Sequence, residues 1–446
     1  MRSTDLPEVT VEKIVDQDLE ALVVSRLMWR LLPFLFLLYI VAYLDRINVS
    51  FAILQMRTQL HLSDSAYGRA AGMFFAGYLI FQIPSNLALE KVGVRRWIAM
   101  LMIVWGLVSC MMIFIRGPVS FYSFRFLLGA AEAGFFPGII LYLKRWFPAG
   151  ARARAVAWFM AANPLAGVFG SPISGGLLGL HGKGLEGWQW LFLIEGLPAI
   201  LLGVAVLGVL YEWPQEASWL TEPQRNWLLG ELASEQTNEQ PARGFLQKSA
   251  VLWQVLTTGN MWLLTLTFFA VPTCMYGVTL WLPSTIRSLS LLSDQAIGAV
   301  STVPYLLTAV VMVLVSRHSD HTGERRWHVA ICAFLAAASL GLAASGRSVF
   351  VVVGGMSLAM IGAESMLGPF WAMATSRMKG SSAAVAIAVI NSLANLGGYF
   401  GPWILGLVRS ANGGFASGLL AIAAVLVISG VAALRVSPSR TSAAPR

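Results

Sequence analysis

The sequence predicts an all-α polytopic membrane protein: twelve transmembrane helices in two pseudo-symmetric six-helix bundles. Three observations predict it. Of 446 residues, 57% are hydrophobic and 12% charged, roughly half the charged share of soluble domains. Apolar segments of the ~20 residues a helix needs to cross a bilayer recur from end to end. Landmarks of the first half also return in the second at one fixed offset.

The apolar spans fall near 29–51, 66–89, 96–115, 118–143, 154–180, 188–211, 251–283, 293–316, 327–345, 349–373, 383–408 and 414–435. Lipid obliges every backbone group to bond within its own segment, so each span is read as a helix. Basic residues gather in alternate loops, at Lys91, Arg95 and Arg96, at Lys144, Arg145, Arg152 and Arg154, at Arg317, Arg325 and Arg326, and at Arg377 and Lys379. The intervening loops hold one each: Arg57, Arg116, Lys183, Arg287, Arg347 and Arg409. This asymmetry predicts both termini in the cytoplasm of a multi-pass plasma (inner) membrane protein. The net charge of +9 is then topology rather than a polyanion site, and the expected partner is the lipid bilayer, with no nucleic acid.

Residues 1–28 carry six acids and no apolar h-region, so no cleavable signal peptide is expected. Cys110, Cys274 and Cys332 lie inside apolar spans, odd in number, which argues for buried small hydrophobes and against a disulfide framework. The five histidines fall in loops or at span ends, with no HExxH motif and no Cys/His cluster. No metal and no cofactor is expected. No nucleophile–base pair appears in the spans, so the chain does not read as an enzyme.

Arg95-Arg96-Trp97 and Arg325-Arg326-Trp327 are 230 residues apart, and so are Pro172 and Pro402. Two landmarks with one offset argue for a duplicated unit. The divisions that follow are a cytoplasmic tail 1–28, a six-helix bundle 29–211, a cytoplasmic linker 212–250, a second bundle 251–435 and a tail 436–446. In the linker, Trp219, Leu220, Trp227, Leu228 and Leu232 suggest a short amphipathic helix on the inner surface. The small-residue runs Ala166–Gly179 and Ala394–Gly406 allow close helix packing, with gating bends as a subset. Duplicated halves around a midplane site are the build of alternating-access carriers.

Charges inside the spans carry the chemistry. They are Asp45, Arg46, Arg125, Glu132, Glu195 and Glu364, each costing about 2.5–3.5 kcal/mol in hydrocarbon on insertion scales. At the 230-residue offset Asp45 and Arg46 fall on Met275 and Tyr276, and Arg125 and Glu132 on Gly355 and Gly362. The scaffold repeats and the charges do not, which points to a specialised site. Arg125 and Glu132 stand two turns apart on one helix face. With Asp45 and Arg46 they can form a two-acid, two-base cluster that frees a guanidinium whenever an acid takes a proton. The plainer alternatives are an Arg125 that bonds backbone carbonyls and an Asp45–Arg46 pair that anchors a helix end. Glu195 stays open between a site role and a structural one, and Glu364 has no assignable partner.

Several motifs resemble the major facilitator superfamily, and within it the anion:cation symporter family, over roughly residues 28–435. They are Tyr43-Leu44-Asp45-Arg46-Ile47-Asn48-Val49, Pro84-Ser85-Asn86-Leu87 leading to Lys91-Val92-Gly93-Val94-Arg95-Arg96-Trp97, and Arg125-Phe126-Leu127-Leu128-Gly129 with Glu132-Ala133-Gly134-Phe135-Phe136-Pro137-Gly138. Gly187-Trp188-Gln189-Trp190 through Glu195-Gly196-Leu197-Pro198 adds the sixth helix. The resemblance implies a monomeric secondary transporter that imports a small organic carboxylate with protons. It implies Arg46 and Arg125 as anion-binding and Asp45 and Glu132 as proton-coupling residues, with Tyr43, Tyr78, Trp371 and Asn391 lining the cavity. Asn163 stands where galactonate-type carriers have a glutamine, which argues against a galactonate-like substrate. Trp371, Tyr43 and the scarcity of amides lean toward a small or aromatic acid.

Tyr276 and Trp281 have polar-tipped aromatic character that suits either the cavity or ordinary packing. Arg95, Arg96, Asp320 and Arg325 read either as a cytoplasmic gate or as solvated topogenic loops. The alternatives for the whole chain are an organic-anion exchanger or uniporter on the same scaffold, and a non-transporting membrane sensor, for which the short tails leave little room.

Overall fold

A computed structural model of the chain describes residues 8–238, 253, 256–377 and 381–437. Its regular elements are helices: α1 (Glu8–Ile47), α2 (Val49–Gln59), α3 (Asp64–Val92), α4 (Val94–Met111), α5 (Pro118–Glu132), α6 (Phe135–Trp146), α7 (Ala149–Met160), α8 (Ala162–Leu177) and α9 (Gly187–Val209). After the linker helix α10 (Glu222–Asn238) come α11 (Gly259–Leu289), α12 (Asp294–Thr322), α13 (Arg326–Ser345), α14 (Val349–Ser365), α15 (Leu367–Thr375), α16 (Ser381–Asn412) and α17 (Ala416–Arg435).

Four pairs run end to end, α1 with α2, α5 with α6, α7 with α8 and α14 with α15. Asn48, Ala133–Gly134, Ala161 and Met366 interrupt them. Among the described residues the columns therefore number twelve, as the apolar pattern predicts. Eleven are long and apolar enough to cross a membrane. The other, α16, has 32 residues, ample for the crossing at ~1.5 Å per residue. The first column is longer than its apolar span, since α1 starts at Glu8.

Local chemistry explains where the columns begin. Ser63 Oγ accepts from the Ala66 amide at 3.1 Å and Ser293 Oγ from the Ala296 amide at 3.3 Å. Asp64 and Asp294 follow in the first turns of α3 and α12, where carboxylates complement the positive helix terminus. These two caps sit 230 residues apart, so the duplication extends to the capping residues. Pro118 opens α5, a position where its missing N–H costs nothing.

The bundles meet along α3 against α16 and α8 against α12 at the end of the molecule that carries these caps. An added Cβ at Gly68 would stand 2.6 Å from the Pro402 carbonyl and one at Gly298 would stand 2.5 Å from the Ser171 carbonyl. Gly406 and Gly175 answer them from the opposite helices, each Cβ position 2.9 Å from the partner glycine Cα. The small-residue runs Ala166–Gly179 and Ala394–Gly406 are thus halves of two equivalent crossings. Tyr67 donates to the Leu280 carbonyl at 2.5 Å across the same seam, and Trp281 donates to the Pro402 carbonyl at 3.0 Å within the second bundle behind it.

Ion pairs ring the seam. Arg57 holds Asp64 at 2.9 Å within one bundle, and Arg409 reaches it from the other at 3.4 Å. Arg287 pairs with Asp294, which also accepts from Gln55 of the first bundle at 3.2 Å. At the opposite end of the helices lies a cavity of about 810 Å³, lined by Val24, Met28, Leu32 and Phe36 of α1 with Arg154 and Trp158 of α7. In steps of three and four residues that α1 face continues to Tyr39, Tyr43 and Arg46.

The linker packs back onto the first bundle. Leu220, Leu228 and Leu232 are buried, Trp219 stacks on Trp146 at 5.8 Å, and Glu235 pairs with Arg152 at 2.6 Å. Linker residues 239–250 lie outside the described residues.

The glycine crossings are a test of this packing. Gly68→Ala and Gly298→Ala should each lower stability by about 1–3 kcal/mol, because the new methyl meets backbone that cannot yield cheaply. Gly208→Ala, with nothing within 4 Å of the new atom, should not. Thermal melting of the detergent-purified variants reads the difference, and equal melting of all three would refute the tight seam.

Candidate functional site

The interruptions of the helices position the buried polar groups. Asp45 and Arg46 close α1 just before Asn48, Glu132 is the last residue of α5, Asn163 follows Ala161 at the start of α8, and Glu364 precedes Met366. Discontinuous helices at the midplane are where carriers build sites, since irregular backbone is tolerated only inside protein or beside a cavity.

Arg46 Nε donates to Glu132 Oε2 at 2.8 Å, with the carboxylate fully buried. The Arg46 guanidinium lies 5.5 Å from the ring centroid of Phe74 and 5.3 Å from that of Tyr78. Arg125 lies 5.0 Å from the same Phe74 ring. One aromatic ring therefore faces two cations, an arrangement worth about 2 kcal/mol or more per contact when desolvated. Tyr78, and Tyr276 from the other bundle, stand beside the Arg46 guanidinium.

Asp45 makes no ion pair with that group among the described residues. It is fully buried, and its Oδ1 accepts from Ser109 Oγ at 2.7 Å and from Asn48 Nδ2 at 3.4 Å. Successive helical residues point about 100° apart, so Arg46 turns to α5 while Asp45 turns to α4. The expected four-charge cluster is split into an Arg46–Glu132 pair, a carboxyl held by hydroxyl and amide, and Arg125. Glu195 accepts from Ser174 Oγ at 2.6 Å and belongs with Asp45 on the far side of α1.

Several buried donors and acceptors have no hydrogen-bond partner among the described residues. They include Arg46 Nη2, Arg125 Nε and Nη1, Glu132 Oε1, the Tyr43 hydroxyl and Asn163 Oδ1. Arg125, at 0% exposure, contradicts the plain alternative of a side chain that merely satisfies carbonyls: two of its donors satisfy none. Leaving a buried donor unsatisfied costs about 1–3 kcal/mol, more for a charged one. Guanidiniums so placed suit the fork geometry of a carboxylate.

The remaining predicted residues sit apart. Trp371 packs 5.0 Å from Phe268 and 5.2 Å from Phe370. Asn391 is half-buried on α16 beside Ser392, which donates to Gln82 of the first bundle at 3.2 Å. At the other loops, Asp320 pairs with Arg325 at 2.7 Å, the Arg95 amide donates to Glu212 at 2.9 Å, and Arg96 is exposed. Among the described residues these four make no bridge between the bundles. Glu212, which also binds Arg145 at 2.5 Å, caps α4 and was not foreseen from sequence. Nor was Phe74, one apolar residue among many. Trp281 serves the seam and Tyr276 the site.

Two bundles joined tightly at one end, with buried charges at helix interruptions and a cavity between α1 and α7 of the first bundle at the other end, have the build of a secondary carrier. The chain belongs to the Major Facilitator Superfamily, whose profile matches residues 35–402. Two proteins of Agrobacterium vitis, each named "Putative tartrate transporter", are 46% identical to it over 431 and 424 residues. These alignments cover 96% and 95% of this chain and 94% and 96% of theirs. A "Quinolone resistance transporter" of Acinetobacter baumannii is 36% identical over 411 residues, 92% of this chain and 94% of its own. The fold matches a bacterial homologue of the human lysosomal transporter Spinster with a TM-score of 0.74 at 18% identity, over 92% of this chain and 96% of that one. The protein is a multi-pass membrane transporter and not an enzyme.

Glu132→Ala should destabilise the protein by about 3–5 kcal/mol, because it strands a buried guanidinium. Arg46→Ala combined with Glu132→Ala should be less destabilising than Glu132→Ala alone. A double-mutant cycle on purified protein checks both, and additive losses would show that the pair contributes no coupling.

Proposed function

We propose that this transporter imports a small organic carboxylate together with protons by alternating access. The observation that carries the reading is the pair of arginines, buried Arg125 and partly buried Arg46, facing one phenyl ring with three unpartnered nitrogens between them. Such donors call for an anion, and the names of the Agrobacterium vitis relatives agree. On this reading, with the termini cytoplasmic as the loop charges support, the glycine seam closes the outer side and the cavity along α1 lies inward.

Glu132 and Asp45 are the proton sites of this reading. A proton on Glu132 releases Arg46 Nε to the substrate, and loss of that proton to the cytoplasm restores the ion pair and expels the anion. Asp45, tied to Ser109, links the position of α1 to α4 and carries the second proton. More than one proton per monoanion lets an inside-negative potential assist, by about 2.3 kcal/mol per net charge at 100 mV. Tyr43, Tyr78 and Asn163 supply hydroxyl and amide contacts around the arginines. Trp371 and Asn391 complete the cavity from the second bundle once the halves rock.

The test is external alkalinisation. De-energised cells producing the protein should raise medium pH when a hydroxy, sugar or aromatic acid is added, and control cells should not. Arg46→Ala should abolish uptake, while Asp45→Asn should lose accumulation and keep exchange of labelled for unlabelled acid. Wild-type uptake by Arg46→Ala would sink the anion pocket. Uptake insensitive to pH would favour exchange or uniport.

A further inference from the structure

The second bundle holds one buried acid that the proposed coupling does not use. Glu364 is 1% exposed, and neither carboxyl oxygen has a hydrogen-bond partner among the described residues. No arginine or lysine pairs with it there. Its placement repeats that of Glu132: one acid ends α5 before Ala133–Gly134, the other sits in the last turn of α14 before Met366. The strict 230-residue offset puts Glu132 on Gly362, two residues short of Glu364. Each bundle therefore presents an acid at the interruption of an equivalent column, and only the first supplies it with a cation.

Glu364 faces the same centre from the opposite wall. Its helix meets α11 beside Tyr276, where Cys274 Sγ donates to the Ala359 carbonyl at 3.7 Å, and Tyr276 is the residue that stands beside the Arg46 guanidinium. The site thus has donors with positive charge on one wall and an unmet acceptor on the other. A bare hydrocarbon chain between carboxylates would leave that acceptor unmet, and a carboxylate placed against it would be repelled. A hydroxyl satisfies it.

We propose that Glu364 reads substrate hydroxyls and makes this a carrier of hydroxylated dicarboxylates. The two carboxylates engage Arg46 and Arg125, and a hydroxyl on the intervening carbons donates to Glu364. This rests on the carboxylate reading of the arginine wall and adds the chemistry of the facing one.

Tartrate, malate and succinate share a four-carbon diacid and differ in carrying two, one or no hydroxyls. Their competition against labelled tartrate, with the full-length protein reconstituted in liposomes, measures the selectivity. Wild type should prefer them in that order. Glu364→Leu should collapse the tartrate-to-succinate preference by at least about tenfold, as expected when the group matched to a substrate hydroxyl is removed. Glu364→Gln keeps a carbonyl acceptor and should retain an intermediate preference. A ratio unchanged in Glu364→Leu, or a uniform fall for all three acids in both variants, overturns the proposal. If wild type carries none of the three but does carry an unhydroxylated acid, Glu364 is wrongly assigned while the arginine pocket stands. If it carries no carboxylate at all, the carboxylate reading itself fails.

Discussion

A buried ion pair, Arg46 to Glu132 at 2.8 Å, fixes the centre of this molecule. Neither charge could stay in the bilayer interior alone, and each makes the other tolerable. The pair joins the end of α1 to the end of α5, both at interruptions of their columns. Because Glu132 is taken by Arg46, Arg125 has no carboxylate in ion-pair reach among the described residues and rests on Phe74. The net character of the centre is therefore cationic, although acids and bases are equal in number among Asp45, Arg46, Arg125 and Glu132. On the proposed reading, geometry rather than composition makes it an anion site.

Around this asymmetric centre the scaffold is symmetric. Gly68 and Gly298, Asp64 and Asp294, and Arg57 and Arg287 are equivalent pairs, and they build two matching crossings at one end of the bundles. The aspartates each hold a partner in their own bundle and a second in the opposite one, Arg409 or Gln55. Partly exposed pairs of this kind are worth about 1 kcal/mol or less. The closed end is thus held by shape, through glycine contacts that need no desolvation of charge, and by weak polar ties. A rocking motion can break both without exposing a large apolar surface, as two rigid halves moving about a fixed centre require.

Much of this was written in the sequence, and the exceptions are instructive. The apolar runs marked the columns, and the 230-residue repeat marked the halves. The same repeat relates Arg57 to Arg287 and Asp64 to Asp294, yet the arginines read as sparse loop charges and the aspartates carry no mark, because sequence gives no sign of which charges will face one another across a seam. Asp45 and Arg46 are adjacent in the chain and diverge in space, since neighbouring helical positions cannot share a target. Phe74 carries no mark that separates it from other buried phenylalanines. Glu364 escaped pairing with Glu132 because the interruption of the tenth column falls two residues out of register with that of the fourth. A one-residue lapse in helical hydrogen bonding at Met366 leaves no compositional trace.

The divergence of Asp45 and Arg46 has a mechanical consequence for coupling. Through Arg46 the end of α1 is tied to α5, and through Asp45 and Ser109 it is tied to α4. α1 is the element that also runs along the cavity at the other end of the molecule. A proton on either acid weakens one tie and leaves the other, so the two carboxyls act on one helix through different neighbours. On the proposed reading, the anion takes Arg46 while Glu132 holds a proton, and a second proton acts through Asp45 without touching that exchange. The two events meet through the position of α1, and adjacent residues facing different ways are what allow one helix end to sense both.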